Sequence, residues 1–353
     1  MIPFALVGTG WRAEFFLRIA QALPDRFKVV GVVTRDPEKA KTVLAPFGVT
    51  PYATLDDLLA AHKPLFVVTS VPWSVNPGLL LDLARRGIPA LSETPPATTL
   101  QELIELWQAT QGAKIQVAEQ YWAQPLHAAR LTFAYSGKLG RVTQAQVSAA
   151  HGYHGISLIR RFLGISYENP TVLARRFQSP IVQGPSRSGP PTEENVVESD
   201  QILAWFDFGD RLGVFDFTND QYFSYVRGKR VLVRGERGEI SDEQATYLHN
   251  PHTPLQVDFV RHSAGINGNL EGHYLKGIQA GESWVYHNPL APAPLSDDEI
   301  AIGTCLLRMA EYVEGGAPFY SLAEACQDRY LDILLAESVN SQQPVSATTQ
   351  PWA

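Results

Sequence analysis

The sequence predicts an α/β protein in which a doubly wound parallel sheet comes first and a mainly antiparallel sheet follows. Residues 4–7 form a short apolar run, and Gly8, Gly10 and Ala13 then give the pattern G-x-G-x-x-A at the start of a helical pattern. Strand and helix patterns alternate at short spacing as far as Ala118, which is typical of a parallel sheet. Beyond Thr171 strands dominate and short glycine turns separate them, which favours antiparallel pairing.

The glycine pattern predicts a site for the pyrophosphate of a dinucleotide. Gly8 permits a tight turn, Gly10 lets the backbone approach a phosphate, and Ala13 lets helix and strand pack closely. The helix N-terminus adds free N–H donors and a partial positive charge. A simple packing turn is the alternative, but the position between a strand and a helix favours dinucleotide binding.

The other elements of the first part follow in order along the chain. Strands are predicted at residues 28–34, 65–70, 88–93 and 114–118. Helices are predicted to start at Asp36, Thr54, Asn76 and Thr99, where caps or a following proline mark a helix start. Ligands bind beyond the carboxyl ends of the strands in such sheets, so the residues after each strand are expected around one crevice.

The end of the second strand predicts the choice of cofactor. An acidic side chain there binds the ribose 2′-hydroxyl of NAD, whereas an arginine accommodates the 2′-phosphate of NADP. Arg35 lies nearest the strand end and predicts NADP, with NAD possible, while Asp36 is interpreted as a helix cap. The alternative is that Arg35 is only solvated. The predicted cofactor-binding residues are Gly8, Thr9, Gly10, Trp11, Arg12, Thr34, Arg35, Ser70, Pro72, Trp73, Glu93, Thr94 and Gln120.

The pattern changes near residue 123, which predicts domains at residues 1–122 and 123–353. In the second domain helices are predicted at residues 123–136, 297–314 and 322–339 and within 151–164, and strands at 142–150, 172–177, 201–208, 212–218 and 230–234. Residues 179–191 are interpreted as an exposed loop. Trp205, Phe215 and Phe217 are expected on an apolar sheet face that helices leave partly uncovered, which predicts a homodimer or homotetramer.

Composition argues against several classes of protein. The 353 residues carry a formal net charge of −7 and no basic block, which argues against nucleic-acid binding. A membrane span and a secretion signal are both unsupported. Cys305 and Cys326 show no metal-ligand spacing and are interpreted as reduced core thiols of a cytoplasmic protein.

Taken together, these features resemble the Gfo/Idh/MocA family, the glucose–fructose oxidoreductase and inositol dehydrogenase group, over nearly the whole chain. Residues 92–95 fall where the family carries Glu-Lys-Pro, residues 137–142 resemble the turn into its second domain, and His154 fits its active-site helix. Residues 320–325 and 344–345 resemble its C-terminal helix and tail. The resemblance implies a Rossmann domain, an open antiparallel sheet that often packs against a partner subunit, and oxidation or reduction of sugars, cyclitols and their derivatives with NAD or NADP.

The sequence departs from this family where chemistry is expected. Thr94 replaces the usual lysine, and Ala150 replaces an aspartate four residues before the histidine. The segment between Gly140 and His154 is shorter than usual, so only His154 of the common catalytic set remains. The loss of the lysine predicts slow turnover of simple sugars, or a substrate with a more acidic hydroxyl or with a carbonyl to reduce.

His154 is therefore predicted to be the acid–base residue, because a histidine titrates near neutral pH. Tyr153 is a candidate proton relay, with a packed aromatic as the alternative, and Thr94 can position a substrate oxygen without carrying charge. His151 and His154 have a spacing that a metal could use, but no acidic third ligand lies beside them, so no metal is predicted. Arg160 is expected to be solvated.

Three functions stay open at this point. The preferred one is an NAD(P)-dependent oxidoreductase with an altered proton relay and a small, carbohydrate-like substrate. The second is a redox-neutral glycosidase or lyase that uses transient oxidation by a retained cofactor. The third is a non-catalytic, NADP-binding regulatory protein.

Overall fold

The computed structural model describes residues 1–265 and 272–353, and its first part alternates strands with helices. Strands β1 to β6 span Ile2–Val7, Phe27–Val33, Pro51–Tyr52, Phe66–Thr69, Ala90–Ser92 and Ile115–Val117. Helices α1 to α5 span Trp11–Ala22, Pro37–Leu44, Leu55–Ala61, Asn76–Arg85 and Leu100–Ala109.

Within the described residues, β1 to β6 form a parallel six-stranded sheet in the order β3-β2-β1-β4-β5-β6. The predicted doubly wound sheet is confirmed. The strand order reverses between β1 and β4, and this switch point opens a crevice at the carboxyl ends of the strands. The edge strand β3 was not predicted, because two residues are too few to show an alternating pattern.

Helix caps in this part form as the sequence predicts. Asp36 Oδ1 accepts the backbone N–H of Lys39 at 3.0 Å, and Pro37 opens α2. Thr99 and Glu102 form a complete capping box at the start of α5. These bonds satisfy N–H groups that a helix start would otherwise leave unpaired.

The second part of the chain builds a larger sheet. Strands β7 to β17 span Val142–Ser148, Thr171–Val182, Val196–Asp207, Leu212–Thr218, Arg230–Gly235, Gly238–Ser241, Gln244–Asn250, Thr253–Ser263, Leu275–Ala280, Ser283–His287 and Val345–Ser346. Helices α6 to α9 span Pro125–Ala134, Gly152–Leu163, Asp297–Val313 and Leu322–Ser341. In the described chain these strands form an eleven-stranded sheet, ordered β16-β15-β14-β13-β12-β11-β7-β10-β9-β8-β17. Only β7 and β10 pair in parallel there, so the predicted mainly antiparallel sheet is confirmed.

Helices α6, α7 and α9 pack on one face of this sheet, and strand register decides which side chains meet them. Phe215 lies opposite Ala204 and packs against Gly155 of α7, whereas Val214 lies opposite Trp205, which is 58% exposed. Phe215 and Phe217 are buried, so the expectation that they contribute to the uncovered face is wrong. Trp205 does lie on that face.

Two further expectations about the second part are corrected. Residues 179–182 continue β8 rather than forming a loop, so the exposed connection covers residues 183–195. β17 pairs with β8 only at Thr171 and Val172, so the edge of β8 is open at Pro180 and tolerates a proline. Arg160 is buried rather than solvated, because α7 packs against both the sheet and α9, and Asp328 on α9 accepts its Nη1–H at 2.6 Å.

Helix α8, from the second part of the chain, packs against α1 and the first sheet. Its buried residues, among them Ile302 and Leu306, belong to one apolar cluster with Phe4, Phe16 and Ile19. An added Cβ on Gly303 would lie 2.4 Å from Cδ1 of Leu290, so a larger residue there would require the Leu290 side chain to move. Cys305 and Cys326 are buried and unpaired. No helix within the described residues is long and apolar enough to cross a membrane.

Candidate active site

The glycine turn after β1 forms an open cradle at the start of α1. Gly8 has a φ of +109°, and a Cβ there would lie 2.0 Å from the carbonyl oxygen of Ser70, so a side chain is excluded. A Cβ on Gly10, the N-cap of α1, would meet no atom within 4 Å. The backbone N–H groups at this end of α1 therefore have room for a phosphate, which fits a dinucleotide.

A cavity of about 1380 Å³ extends from this cradle across the carboxyl ends of the parallel strands. Its size suits a dinucleotide together with a small substrate, because sites for a single small molecule usually measure roughly 300–1,000 Å³. All the predicted cofactor-binding residues line it: Gly8, Thr9, Gly10, Trp11, Arg12, Thr34, Arg35, Ser70, Pro72, Trp73, Glu93, Thr94 and Gln120.

One end of the cavity lies beside the carboxyl end of β2. Arg35 lines it there and is exposed, and within the described residues no ion pair engages it. One carboxylate oxygen of Asp36 is occupied by capping α2. Lys39, on the first turn of α2, also lines this end, and the sequence analysis did not identify it.

At the other end, a carboxyl group and an imidazole meet. Glu119 follows β6 and is fully buried, while His154 lies in the first turn of α7 and lines the cavity. Glu119 Oε2 lies 2.5 Å from His154 Nδ1, and Glu119 Oε1 accepts the backbone N–H of Tyr121 at 3.0 Å. Within the described residues no hydrogen bond engages Nε2 of His154, which leaves this nitrogen for a ligand.

Burial sets the protonation of this pair. It raises the pKa of Glu119 to about 8. Burial, followed by the charge of Arg12, lowers the pKa of His154 to about 3. Near neutral pH the pair therefore holds one proton on Glu119 and an uncharged imidazole, and the two groups titrate as a unit.

A second histidine and two tyrosines surround this pair. Tyr222 Oη lies 2.6 Å from His151 Nδ1 and accepts the backbone N–H of His151 at 3.0 Å. The rings of Tyr121 and His151 lie 4.6 and 4.8 Å from the ring of His154. Burial and the neighbouring His154 lower the pKa of His151 to about 4, so His151 is uncharged at neutral pH.

The structure does not bring Tyr153 into the cavity. Consecutive helix residues point about 100° apart, so Tyr153 and His154 face different surroundings. Tyr153 is buried and does not line the cavity, and its hydroxyl has no hydrogen-bond partner among the described residues. Thr94, in contrast, lines the cavity.

Arg12 adds a cation to the same region. Its Nε donates to Glu93 Oε1 at 2.9 Å, and the two side chains are only 17% and 14% exposed.

Within the described residues, no group of three His, Cys, Asp or Glu side chains is arranged to hold a metal ion.

The sequence analysis placed the residues after β6, Glu119 among them, at the crevice but gave Glu119 no role, and it missed Tyr222. Glu119 lies just after parallel strand β6, at the edge of the sheet where ligands bind, so its position in the sequence could have indicated a site residue. Its contact with His154 joins residues 35 positions apart in different parts of the fold, which no local pattern shows.

The first part of the chain matches a known protein family. Residues 2–121 match the GFO_IDH_MocA family, described as an oxidoreductase family with an NAD-binding Rossmann fold. The predicted resemblance is confirmed over these residues. No curated protein matches the chain in sequence.

Solved structures share the fold over almost the whole chain. An NAD-binding oxidoreductase from Klebsiella pneumoniae is 15% identical, with a TM-score of 0.69 and coverage of 99% of this chain and 100% of its own. A levoglucosan dehydrogenase in complex with NADH and levoglucosan is 16% identical, with a TM-score of 0.69 and coverage of 98% and 99%. An oxidoreductase from Agrobacterium radiobacter in complex with NAD⁺, L-tartaric acid and magnesium is 17% identical, with a TM-score of 0.64 and coverage of 98% of both chains.

Proposed function

We propose, starting from the match of residues 2–121 to an NAD-binding oxidoreductase family, that this protein transfers hydride between a nicotinamide cofactor and a small carbohydrate-like molecule. The observation that carries the proposal is the Glu119–His154 pair in the cavity that begins at the glycine cradle. A buried acid–base pair beside a dinucleotide site suits a reaction that moves a hydride and a proton together.

NADP is the proposed cofactor, and NAD is the alternative. The cradle at Gly8 and Gly10 would hold the pyrophosphate, and Arg35 together with Lys39 would receive a 2′-phosphate. When bound, the nicotinamide supplies the hydride chemistry. The chain itself has to bind the substrate and to handle the proton.

His154 handles that proton in this proposal. When an alcohol is oxidised, the hydride leaves from carbon to the cofactor. The hydroxyl proton passes to Nε2 of His154 when Glu119 is ionised and the ring proton lies on Nδ1. Glu119 fixes the ring through Nδ1 and balances its charge, so it acts as a positioning residue. In the reverse direction Nε2 returns the proton to the carbonyl oxygen. Tyr121 and Tyr222, which also line the cavity, are the groups that would meet substrate hydroxyls.

The substrate class is supported by the polar groups of His151, His154, Tyr121 and Tyr222 at one end of the cavity and by the fold relatives. Levoglucosan, L-sorbose and L-tartaric acid are bound by proteins of this fold. A hydroxylated small molecule of this kind is proposed here as well. Each of these compounds offers a secondary alcohol or a ketone for hydride transfer.

A direct test follows NADPH or NADH formation and consumption with a panel containing levoglucosan, L-sorbose, L-tartrate and inositol. Turnover that His154→Asn lowers about 100- to 10,000-fold, with little change in cofactor affinity, supports the proposal. His252→Asn, on an exposed turn away from the cavity, is the matched control. Bond cleavage without net change of the cofactor would favour the glycosidase or lyase, and tight cofactor binding with neither activity would favour the regulatory protein.

A further inference from the structure

Arg12 is the second residue of α1, and the structure holds it at the cavity wall. Its Nε is bound to Glu93 Oε1 at 2.9 Å, and its side chain is 17% exposed. Within the described residues no hydrogen bond engages its Nη1 or Nη2. The guanidinium is therefore fixed by one nitrogen and keeps the donors of the other two for a ligand.

The charge of Arg12 reaches the acid–base residue. After burial, Arg12 is the largest influence that lowers the pKa of His154. The groups that act on Arg12 come from the neighbouring elements, with Glu93 after β5 and with Asp298 and Cys305 on α8. Arg12 and His154 thus belong to one electrostatic cluster.

A cation at this place meets a chemical need. Negative charge develops on the substrate oxygen as His154 removes its proton, and fixed charges aimed at such an oxygen often contribute most to catalysis. Thr94 lies in the cavity but is uncharged. Of the other cations that line the cavity, Arg35 and Lys39 lie at the β2 end, Arg187 lies over the ring of Trp11, and Lys229 lies 5.7 Å from the centre of the Tyr222 ring. Within the described residues, none of these four is held in place by an ion pair as Arg12 is by Glu93.

We propose that Arg12 is a catalytic residue whose guanidinium stabilises the negative charge on the substrate oxygen beside His154. Arg12, at the start of α1, would thus supply the positive charge that Thr94 cannot carry. This inference rests on the proposed function and assigns to Arg12 a part in the reaction beyond cofactor binding.

Arg12→Gln tests the role, with Arg18→Gln as a matched control. Both arginines lie on α1, bind a glutamate through Nε at 2.9 and 2.8 Å, and lie over the ring of Phe15, but Arg18 does not line the cavity. With the panel compound that the wild type turns over fastest, kcat should fall about 100- to 1,000-fold in Arg12→Gln. It should stay within about twofold of the wild type in Arg18→Gln, because a surface ion pair contributes little.

Two binding readouts separate catalysis from cofactor binding. Cofactor affinity, followed by the fluorescence of Trp11 and Trp73 in the cavity, should change less than the roughly 100-fold fall in kcat. In the cofactor-free protein, the pKa of His154 measured by NMR should rise in Arg12→Gln, because a neighbouring positive charge is gone. A fall in cofactor affinity that matches the fall in kcat/KM, with kcat unchanged, would overturn the proposal.

Restoring a cation gives an independent check. Guanidinium ions added to Arg12→Ala should recover part of the lost kcat. Thr94→Lys added to Arg12→Gln should recover part of it as well. Absence of recovery in both cases counts against the role of Arg12. A wild type that turns over no panel compound counts against the proposed function instead, and the NMR comparison still reports whether Arg12 acts on His154.

Discussion

Glu119 and His154 share one titratable proton, and its position decides which direction of reaction the pair supports. Below the raised pKa of Glu119, about 8, the carboxyl donates to Nδ1, so Nε2 carries the ring proton and serves as an acid. Above this pKa the carboxylate accepts Nδ1–H, and Nε2 serves as a base. Alcohol oxidation should therefore increase and carbonyl reduction should decrease as the pH rises through about 8, which kcat/KM measured against pH in both directions will check.

Glu119→Gln should remove this pH dependence. An amide can still orient the ring, but it neither titrates nor balances a charge on His154, so oxidation at alkaline pH should fall about 100-fold. Glu105→Gln is the control, because Glu105 is exposed on α5 and binds only Gln101 among the described residues. An unchanged pH midpoint in Glu119→Gln would show that another group titrates.

Arg35 decides the cofactor in our proposal. A charge-assisted contact with a 2′-phosphate is worth about 1.5–3 kcal/mol, which corresponds to a roughly ten- to hundredfold preference for NADP over NAD. Arg35→Ala should lose most of this preference, and Arg85→Ala, on the exposed side of α4, should keep it. Titration of NADP and NAD into the wild type and both variants measures this preference. Equal affinities of the wild type for the two cofactors would reject the role of Arg35.

Single residues also show how far sequence reasoning can reach. Gly8 and Gly10 follow from a local pattern between a strand and a helix, and the capping residues bind backbone groups a few positions away, so the geometry of both could be predicted from the sequence. Glu119 acts on a residue from another part of the fold, and this contact exists only after both sheets have formed. The burial that sets its pKa is likewise a property of the folded chain.

At the level of elements, the connection between β8 and β9 contacts the start of α1, beside the glycine cradle. The guanidinium of Arg187 lies 3.8 Å from the centre of the Trp11 ring at the start of α1. An exposed contact of this kind contributes roughly 0.5–1 kcal/mol. Trypsin should therefore cut after Arg187 about two- to fivefold faster in Trp11→Ala than in the wild type. Trp73→Ala, which also changes a cavity tryptophan, should leave the rate unchanged, and equal rates in all three proteins would show that the contact does not hold the connection.

Elements were predictable where they are buried on one face or carry caps. The strands from β12 to β16 were missed because their signal is weak. β14, for example, is exposed along most of its length, so it shows no clear apolar alternation. Residues 179–182 were predicted as part of a loop for another reason. Pro180 argues against a strand unless one edge of the strand is open, as it is here.

For the molecule as a whole, the open face of the large sheet predicts self-association. Leu173, Trp205 and Val214 form an apolar row across the neighbouring strands β8, β9 and β10 on the side away from the helices. Gln146 of β7 continues the row and separates Val214 from Leu232 of β11. A surface of this kind favours a homodimer or homotetramer. Sedimentation at micromolar concentration should give a multiple of 39.0 kDa for the wild type and the monomer for Trp205→Glu. Tyr135→Glu, which adds a charge to an exposed site on the helix-covered side, should remain assembled, and a wild-type monomer would contradict the prediction.

Helix α8 completes the apolar core of the first sheet, and it is synthesised long after that sheet. Translation delivers β1 and α1 long before residues 297–313, yet Ile302 and Leu306 cover the apolar side of α1 in the folded protein. The nascent first sheet therefore leaves the ribosome with that side uncovered, and it stays a target for chaperones until α8 emerges. For the same reason, a fragment cut after β6 would carry the whole glycine cradle and still be prone to aggregate.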